Sequence, residues 1–90
     1  MSRAVITVIG VDKVGIVAGI SGLLAEYNVN IEDISQTTMQ GIFVMAMIVN
    51  ISQLKSGFSE FKDALLKRGK ELGVEIWLQR EEIFKAMHRV

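Results

Sequence analysis

Two runs constrain this chain most: residues 4–10, AVITVIG, continuous and β-branched, and the uninterrupted apolar stretch Ile42 to Val49, IFVMAMIV. Each is short, rich in β-branched or apolar residues and bounded by turn formers, as expected of strands buried inside a sheet. The first, β1, ends at Gly10 and Asp12. From Val14 to Tyr27 the spacing changes, because Ile16, Val17, Ile20, Leu23, Leu24 and Tyr27 fall within about 120° of arc on a helical wheel. This segment is the predicted helix α1. Asp12 is placed to act as its N-cap, and Asn28 and Asn30 end it.

Residues 31–39, IEDISQTTM, form the predicted strand β2. Gln40-Gly41 then turns the chain into the second apolar run, β3, to make a hairpin. Ser56 is placed to cap a second helix, α2, in which Phe58, Phe61, Leu65 and Leu72 share one face, and Gly73 stops it. Residues 74–79, VEIWLQ, alternate Val74, Ile76 and Leu78 against Glu75, Trp77 and Gln79, which predicts strand β4. The tail, residues 80–90, carries Ile83, Phe84 and Met87 at helical spacing but is too short for a helix that stands alone. The order is βαββαβ plus a short C-terminal helix. Right-handed crossovers then require an α+β, ferredoxin-like sandwich with β1 and β3 central and both main helices on one face of an antiparallel sheet.

Ninety residues accommodate one such unit, taken as a single domain over 1–90 with its core at 4–79 and a helical extension at 80–90. With 50% hydrophobic residues the chain has enough apolar area to fold. The 10 basic and 10 acidic residues balance, and no basic run attracts nucleic acid. With no Cys and one His, there is no basis for disulfides, thiolate metal sites, a metal chaperone or a histidine cluster. No apolar stretch approaches the roughly 20 residues that span a bilayer, so neither membrane attachment nor export is expected and the cytoplasm is the default location. In Gly10-x-Asp12-x-x-Gly15 an Asp replaces the middle Gly of a dinucleotide fingerprint, where pyrophosphate would be repelled, and no P-loop exists. No cofactor is expected.

The segment GVDKVGIVAGISGLLAEYNVNIEDI, residues 10–34, resembles the opening of ACT domains, small ligand-binding modules in regulators of amino-acid metabolism. A Gly-x-Asp-x-x-Gly-Ile-Val turn, an apolar helix and an Asn-x-Asn-Ile lead into the second strand follow in order. The likeness continues through QTTMQGIFVMAMIVN and covers residues 4–79. The tail is an addition seen in short stand-alone ACT proteins, related to the glycine-cleavage transcriptional repressor. Val14 departs from many relatives, which carry Pro there, and so removes some rigidity from the loop. The resemblance implies a regulatory homodimer that binds an amino acid or similar metabolite in the β1–α1 loop near a subunit interface. The residues it marks are Gly10, Asp12, Lys13, Val14, Gly15, Ile16 and Val17, with Asn28, Asn30 and Ile31.

Each of these residues also has a direct chemical reading. The first-turn amides of α1 suit a carboxylate, Asp12 an ammonium group, and Lys13 a further anionic contact. Gly15 permits close approach, and the asparagines offer hydrogen bonds if a partner subunit brings them near the loop. The plainer readings are that Asp12 is only a cap, Gly15 relieves crowding, Lys13 is solvated, and the asparagines end a helix. His88 reads as a surface or helix-end residue.

Two surfaces ask for a partner. Gly15, Ala18, Gly19, Gly22 and Ala25 give α1 a small-residue outer face, to be met by α2 or by another subunit. Strand β3 is apolar on both faces, and Trp77 joins its uncovered side, so either the tail or a partner's sheet should cover it, and a homodimer is favoured. Two alternatives remain: a pairing module without a ligand, and a small acylphosphatase-like enzyme. The second needs an Arg in the phosphate loop, whereas Arg3, Arg68, Arg80 and Arg89 all lie outside the β1–α1 turn. An RNA-binding sheet would have only Phe43 and Trp77 to offer.

Overall fold

The computed structural model describes residues 2–87, so the reading of His88 lies outside the described residues. Its elements are β1 (Arg3–Val11), α1 (Ile16–Glu26), β2 (Asn30–Met39), β3 (Ile42–Asn50), α2 (Phe58–Leu72), β4 (Val74–Arg80) and α3 (Glu81–Met87). The four strands form one antiparallel sheet in the order β2-β3-β1-β4, the ferredoxin-like arrangement with β1 and β3 inside. No helix among the described residues is long and apolar enough to cross a membrane.

The core lies between the sheet and α1 and α2. Alternate residues of the inner strands, including Ile6, Val8, Met45 and Met47, meet Ile20, Leu24, Phe61 and Leu65, all essentially inaccessible to solvent. Phe43, Met45, Met47 and Val49 face the helices, whereas Ile42, Val44, Ala46 and Ile48 face away, as the alternation requires. Burial favours the first set through lost water contact, while the second depends on what covers the far face.

Both helix starts differ from the sequence expectation. Helix α1 begins two residues later than Val14, because Gly15 has a φ of 96°, outside the helical region. Helix α2 is capped by Gly57, not Ser56, and no side chain caps it. Ser56 lies one residue upstream of the cap position, and its hydroxyl donates to the Gly57 carbonyl oxygen instead. Gly73 ends α2 as expected, with a φ of 72°.

The small face of α1 is only partly used. A Cβ on Gly19 would lie 3.0 Å from the methyls of Leu72 on α2, and Arg68 donates to the Gly19 carbonyl oxygen at 2.6 Å. Nothing lies within 4 Å of a Cβ placed on Gly22. The second helix thus explains Gly19 and leaves Gly22 open.

Two features set up the surfaces of the domain. The crossover helices span the inner strands and leave β2 overhanging, with nine of its ten residues exposed and one edge unpaired. On the far side of the sheet α3 lies against β1 and β4 at their Arg3 and Arg80 ends, held there by an ion pair between Arg3 and Glu81. Phe84 and Met87 line a groove there with Thr7, Trp77 and Gln79.

Candidate functional site: the β1–α1 loop

The loop follows from a close approach at its start. A Cβ on Gly10 would come within 2.7 Å of a Val74 methyl and 3.1 Å of the Val74 Cα, so only Gly lets β1 run tightly beside β4 there. Beyond Val11 the backbone N–H of Asp12 donates to the Gly41 carbonyl oxygen at 2.9 Å, tying the loop to the β2–β3 hairpin tip. That tip turns through Gln40 and Gly41 at φ values of 48° and 83°. Asp12, Lys13, Val14 and Gly15 are all exposed, Val14 fully at 102% of its reference surface.

Asp12 is not the N-cap of α1. That position belongs to Gly15, and the Asp12 carboxylate accepts no hydrogen bond among the described residues. The left-handed turn at Gly15 is the physical reason, since it inserts three residues between Asp12 and the first helical residue and carries the carboxylate out of reach. The helix therefore starts with no side-chain cap and no acidic residue in its first turn. Bare first-turn amides with the positive end of a helix dipole favour an anion.

Lys13 bends away from that helix start. Its Nζ lies 2.5 Å from the point a Cβ on Gly73 would occupy, over the C-terminal end of α2, where a cation is favoured. Of the apolar pair that follows, Ile16 is buried in the core and Val17 packs partly against it, so these two anchor the loop. A shallow groove of about 370 Å³ runs below the loop on the far side of the sheet, lined by Ile9, Gly10, Val11, Ile42, Gly73 and Glu75.

Asn28, Asn30 and Ile31 lie at the opposite end of the same subunit. Asn30 is opposite Asn50, which in turn is opposite Arg3, whereas the loop follows Val11. The strand between is roughly 25 Å long at about 3.3 Å per residue. Asn28, at a φ of 60°, donates from its side chain to the Gln53 carbonyl oxygen at 3.0 Å, and Asn30 donates to Glu32 at 3.1 Å. Ile31 packs on the edge of the core.

Sequence reasoning did not foresee that Gly73, Glu75 and the hairpin tip converge on the loop. The turn signals at Gln40-Gly41 and Gly73 were legible, but their meeting depends on strand register. Three of the four arginines are engaged elsewhere: Arg3 on Glu81, Arg68 between α1 and α2, and Arg80 with its guanidinium 4.2 Å from the Phe58 ring centre. None reaches the loop, and Arg89 lies outside the described residues. Among the described residues no group of three or more His, Cys, Asp or Glu is placed to hold a metal ion.

A ferredoxin-like sandwich with an outward-turned β1–α1 loop and an uncapped first helix defines a small βαββαβ module. The ACT domain family profile matches residues 2–79, and the chain belongs to that family, whose domains are generally regulatory and bind small molecules. It is 58% identical over 88 residues to a UPF0237 protein of Listeria innocua, covering 98% of this chain and 99% of that one. It is 52% identical over 90 residues to a UPF0237 protein of Methanopyrus kandleri, covering all of both. Among solved structures, an ACT domain protein from Streptococcus pneumoniae superposes with a TM-score of 0.81 at 44% identity, covering 97% of this chain and 98% of that one. The regulatory subunit of aspartate kinase from Thermus thermophilus, in a ligand-free form, gives 0.65 at 30% identity over 87% of this chain and 50% of that one.

Proposed function

We propose that this chain is a non-enzymatic, cytoplasmic regulatory domain that acts as a homodimer and binds a free amino acid at the β1–α1 loop. The observation that carries the proposal is the bare start of α1 beside an unengaged Asp12 carboxylate. The amides take the ligand's carboxylate, and Asp12 takes its ammonium group. Kinship with the aspartate kinase regulatory subunit supports a metabolite of this class.

The homodimer completes the site through β2. Two β2 strands pairing antiparallel about a two-fold axis near Ser35 bring Asn30 of the partner subunit beside Gln40. Since Asp12 continues β1 and is bonded to Gly41, the partner's Asn30 and the loop are then about three strand spacings apart, roughly 14 Å between backbones. That gap fits an amino acid, with Asn28 and Asn30 of the partner subunit supplying hydrogen bonds to its polar side. A long edge strand, exposed and unpaired along one side, supports this pairing.

Thermal unfolding with each amino acid at millimolar concentration tests the reading. A ligand at about 100 times its Kd stabilises the folded state by about 2.7 kcal/mol. No stabilisation by any amino acid, with the dimer intact, overturns it. A second reading, a pairing module without a ligand, is favoured by the position of Lys13 over Gly73, which gives that side chain a purely structural role. Under that reading Asp12→Ala changes neither metabolite binding nor dimerisation.

A further inference from the structure

The sheet has a second edge. Along β4, opposite β2, seven residues pair with β1 in unbroken register from Val74 to Arg80, with no bulge and no Pro. Such an edge leaves the outward N–H and C=O groups of alternate residues without a strand partner. A groove of about 360 Å³ runs beside it, lined by Leu66 and Lys70 of α2 and by Val74, Glu75, Ile76 and Trp77 of β4. Successive residues of a strand point to opposite faces, so a groove that touches all four follows the edge of β4 and not one face of the sheet. Leu66 is 42% and Trp77 50% exposed along it.

The wall that α2 provides has a definite pattern. This helix runs antiparallel to β4, since Gly73 joins its end to Val74 while the Phe58 ring at its start lies 4.2 Å from the Arg80 guanidinium. Phe61, Leu65 and Gly69 face the core, and the next i, i+4 row, Lys62, Leu66 and Lys70, is exposed on the side of the groove. Among the described residues neither lysine forms an ion pair. Successive members of the row rise about 6 Å along the helix. Every second residue of an extended chain advances about 6.6 Å, so an added strand matches the row step for step.

We infer that the β4 edge takes an extended peptide segment of another protein by strand addition, in the pattern acidic-x-apolar-x-acidic. The two acidic side chains meet Lys62 and Lys70, and the apolar one packs on Leu66. Main-chain bonds to β4 hold the segment, and the row on α2 selects its side chains. A second copy of this chain does not fit. Two-fold pairing of β4 with itself sets Lys62 and Lys70 against the same cations, and the only acidic residues four apart in this sequence, Glu71 and Glu75, have Gly73 midway between them. Because β4 and β2 are opposite edges, docking here leaves the proposed dimer and its amino-acid site untouched.

Titration of the full chain with the blocked heptapeptide Thr-Glu-Thr-Val-Thr-Glu-Thr tests the inference, read by the emission of Trp77, the sole Trp in the sequence. Saturable binding is expected. The double variant Lys62→Glu, Lys70→Glu turns two exposed attractions into repulsions, and is expected to bind this peptide about tenfold or more weakly and to bind Thr-Lys-Thr-Val-Thr-Lys-Thr in its place. Far-UV circular dichroism checks its fold; if the fold is lost, Leu66→Asn, which removes the apolar contact alone, is expected to weaken binding and carries the test. Of two versions of the peptide N-methylated at alternate residues, one should bind and the other fail, because an added strand bonds through one side only. No binding at millimolar peptide, equal binding of the acidic and basic peptides by the wild type, or the same behaviour from both methylated versions overturns the inference. Trp77 emission that changes on dilution of the chain and ignores the peptide assigns the edge to a second copy and overturns it as well.

Discussion

Replacing Gly22 by Ala should stabilise the protein, although it adds an atom to a helix whose outer face reads as an interface. Gly22 lies inside α1 with no positive φ, and a Cβ there meets nothing within 4 Å. Relief of the backbone entropy of an interior helical Gly is worth about 0.5–1 kcal/mol. For a domain of this size each kcal/mol shifts Tm by about 4–8 °C, so a rise of about 2–8 °C is expected. Calorimetry at matched chain concentration measures it, with sedimentation run in parallel because association itself raises Tm. A fall in Tm, or a loss of assembly, would refute the reasoning, since it would mean that another chain packs directly on Gly22.

Further outcomes follow from the same geometry. Gly69→Ala should behave oppositely, because its Cβ would lie 3.0 Å from the Val74 carbonyl oxygen and 3.1 Å from Ile76. Overpacking of that kind costs about 1–3 kcal/mol, and a urea midpoint equal to wild type would contradict it. The Arg3 guanidinium, hydrogen-bonded to Glu81, holds that carboxyl below its ordinary value of 4.5. Its folded value is depressed, so the stabilisation of α3 is fully present above the ordinary value and is lost as the pH falls through the lowered one. Trp77 emission should therefore change in acid below about pH 4.5 in the wild type, and that step should vanish in Glu81→Gln. The same acid step in both proteins would sink the assignment.

Much of the fold was legible because it rests on local patterns. The switch from continuous apolar runs to helical spacing and back sets the βαββαβ order, while Gly41 and Gly73 occupy left-handed turns that Gly favours. The misplaced caps at Asp12 and Ser56 share one cause. A capping residue is recognisable by type, but the residue at which the helix begins depends on a backbone turn, and Gly15 and Gly57 took that position. Gly69 was missed because an i, i+4 line through Phe61 and Leu65 looks interrupted by a Gly, whereas that Gly lets α2 approach the backbone of β4. The site was legible as a loop but not as a place. The lean of Lys13 toward Gly73, the bond from Asp12 to the hairpin tip, and the distance to Asn28 and Asn30 all follow from register, which no local pattern carries.

The proposed binding site is divided between the β1–α1 loop of one subunit and the asparagines of the other. Complementation tests it directly, once screening has found an amino acid that stabilises the wild type. Asp12→Ala and Asn30→Ala chains are prepared separately, shown to be folded dimers, and then unfolded and refolded together. Each homodimer should fail to bind in titration calorimetry. Half of the mixed population should be heterodimers, each with one loop and one asparagine intact at the same site, so binding should return at about one quarter of the wild-type stoichiometry. Normal binding by either homodimer, or no recovery in a mixture whose heterodimers are seen by native mass spectrometry, would contradict the claim.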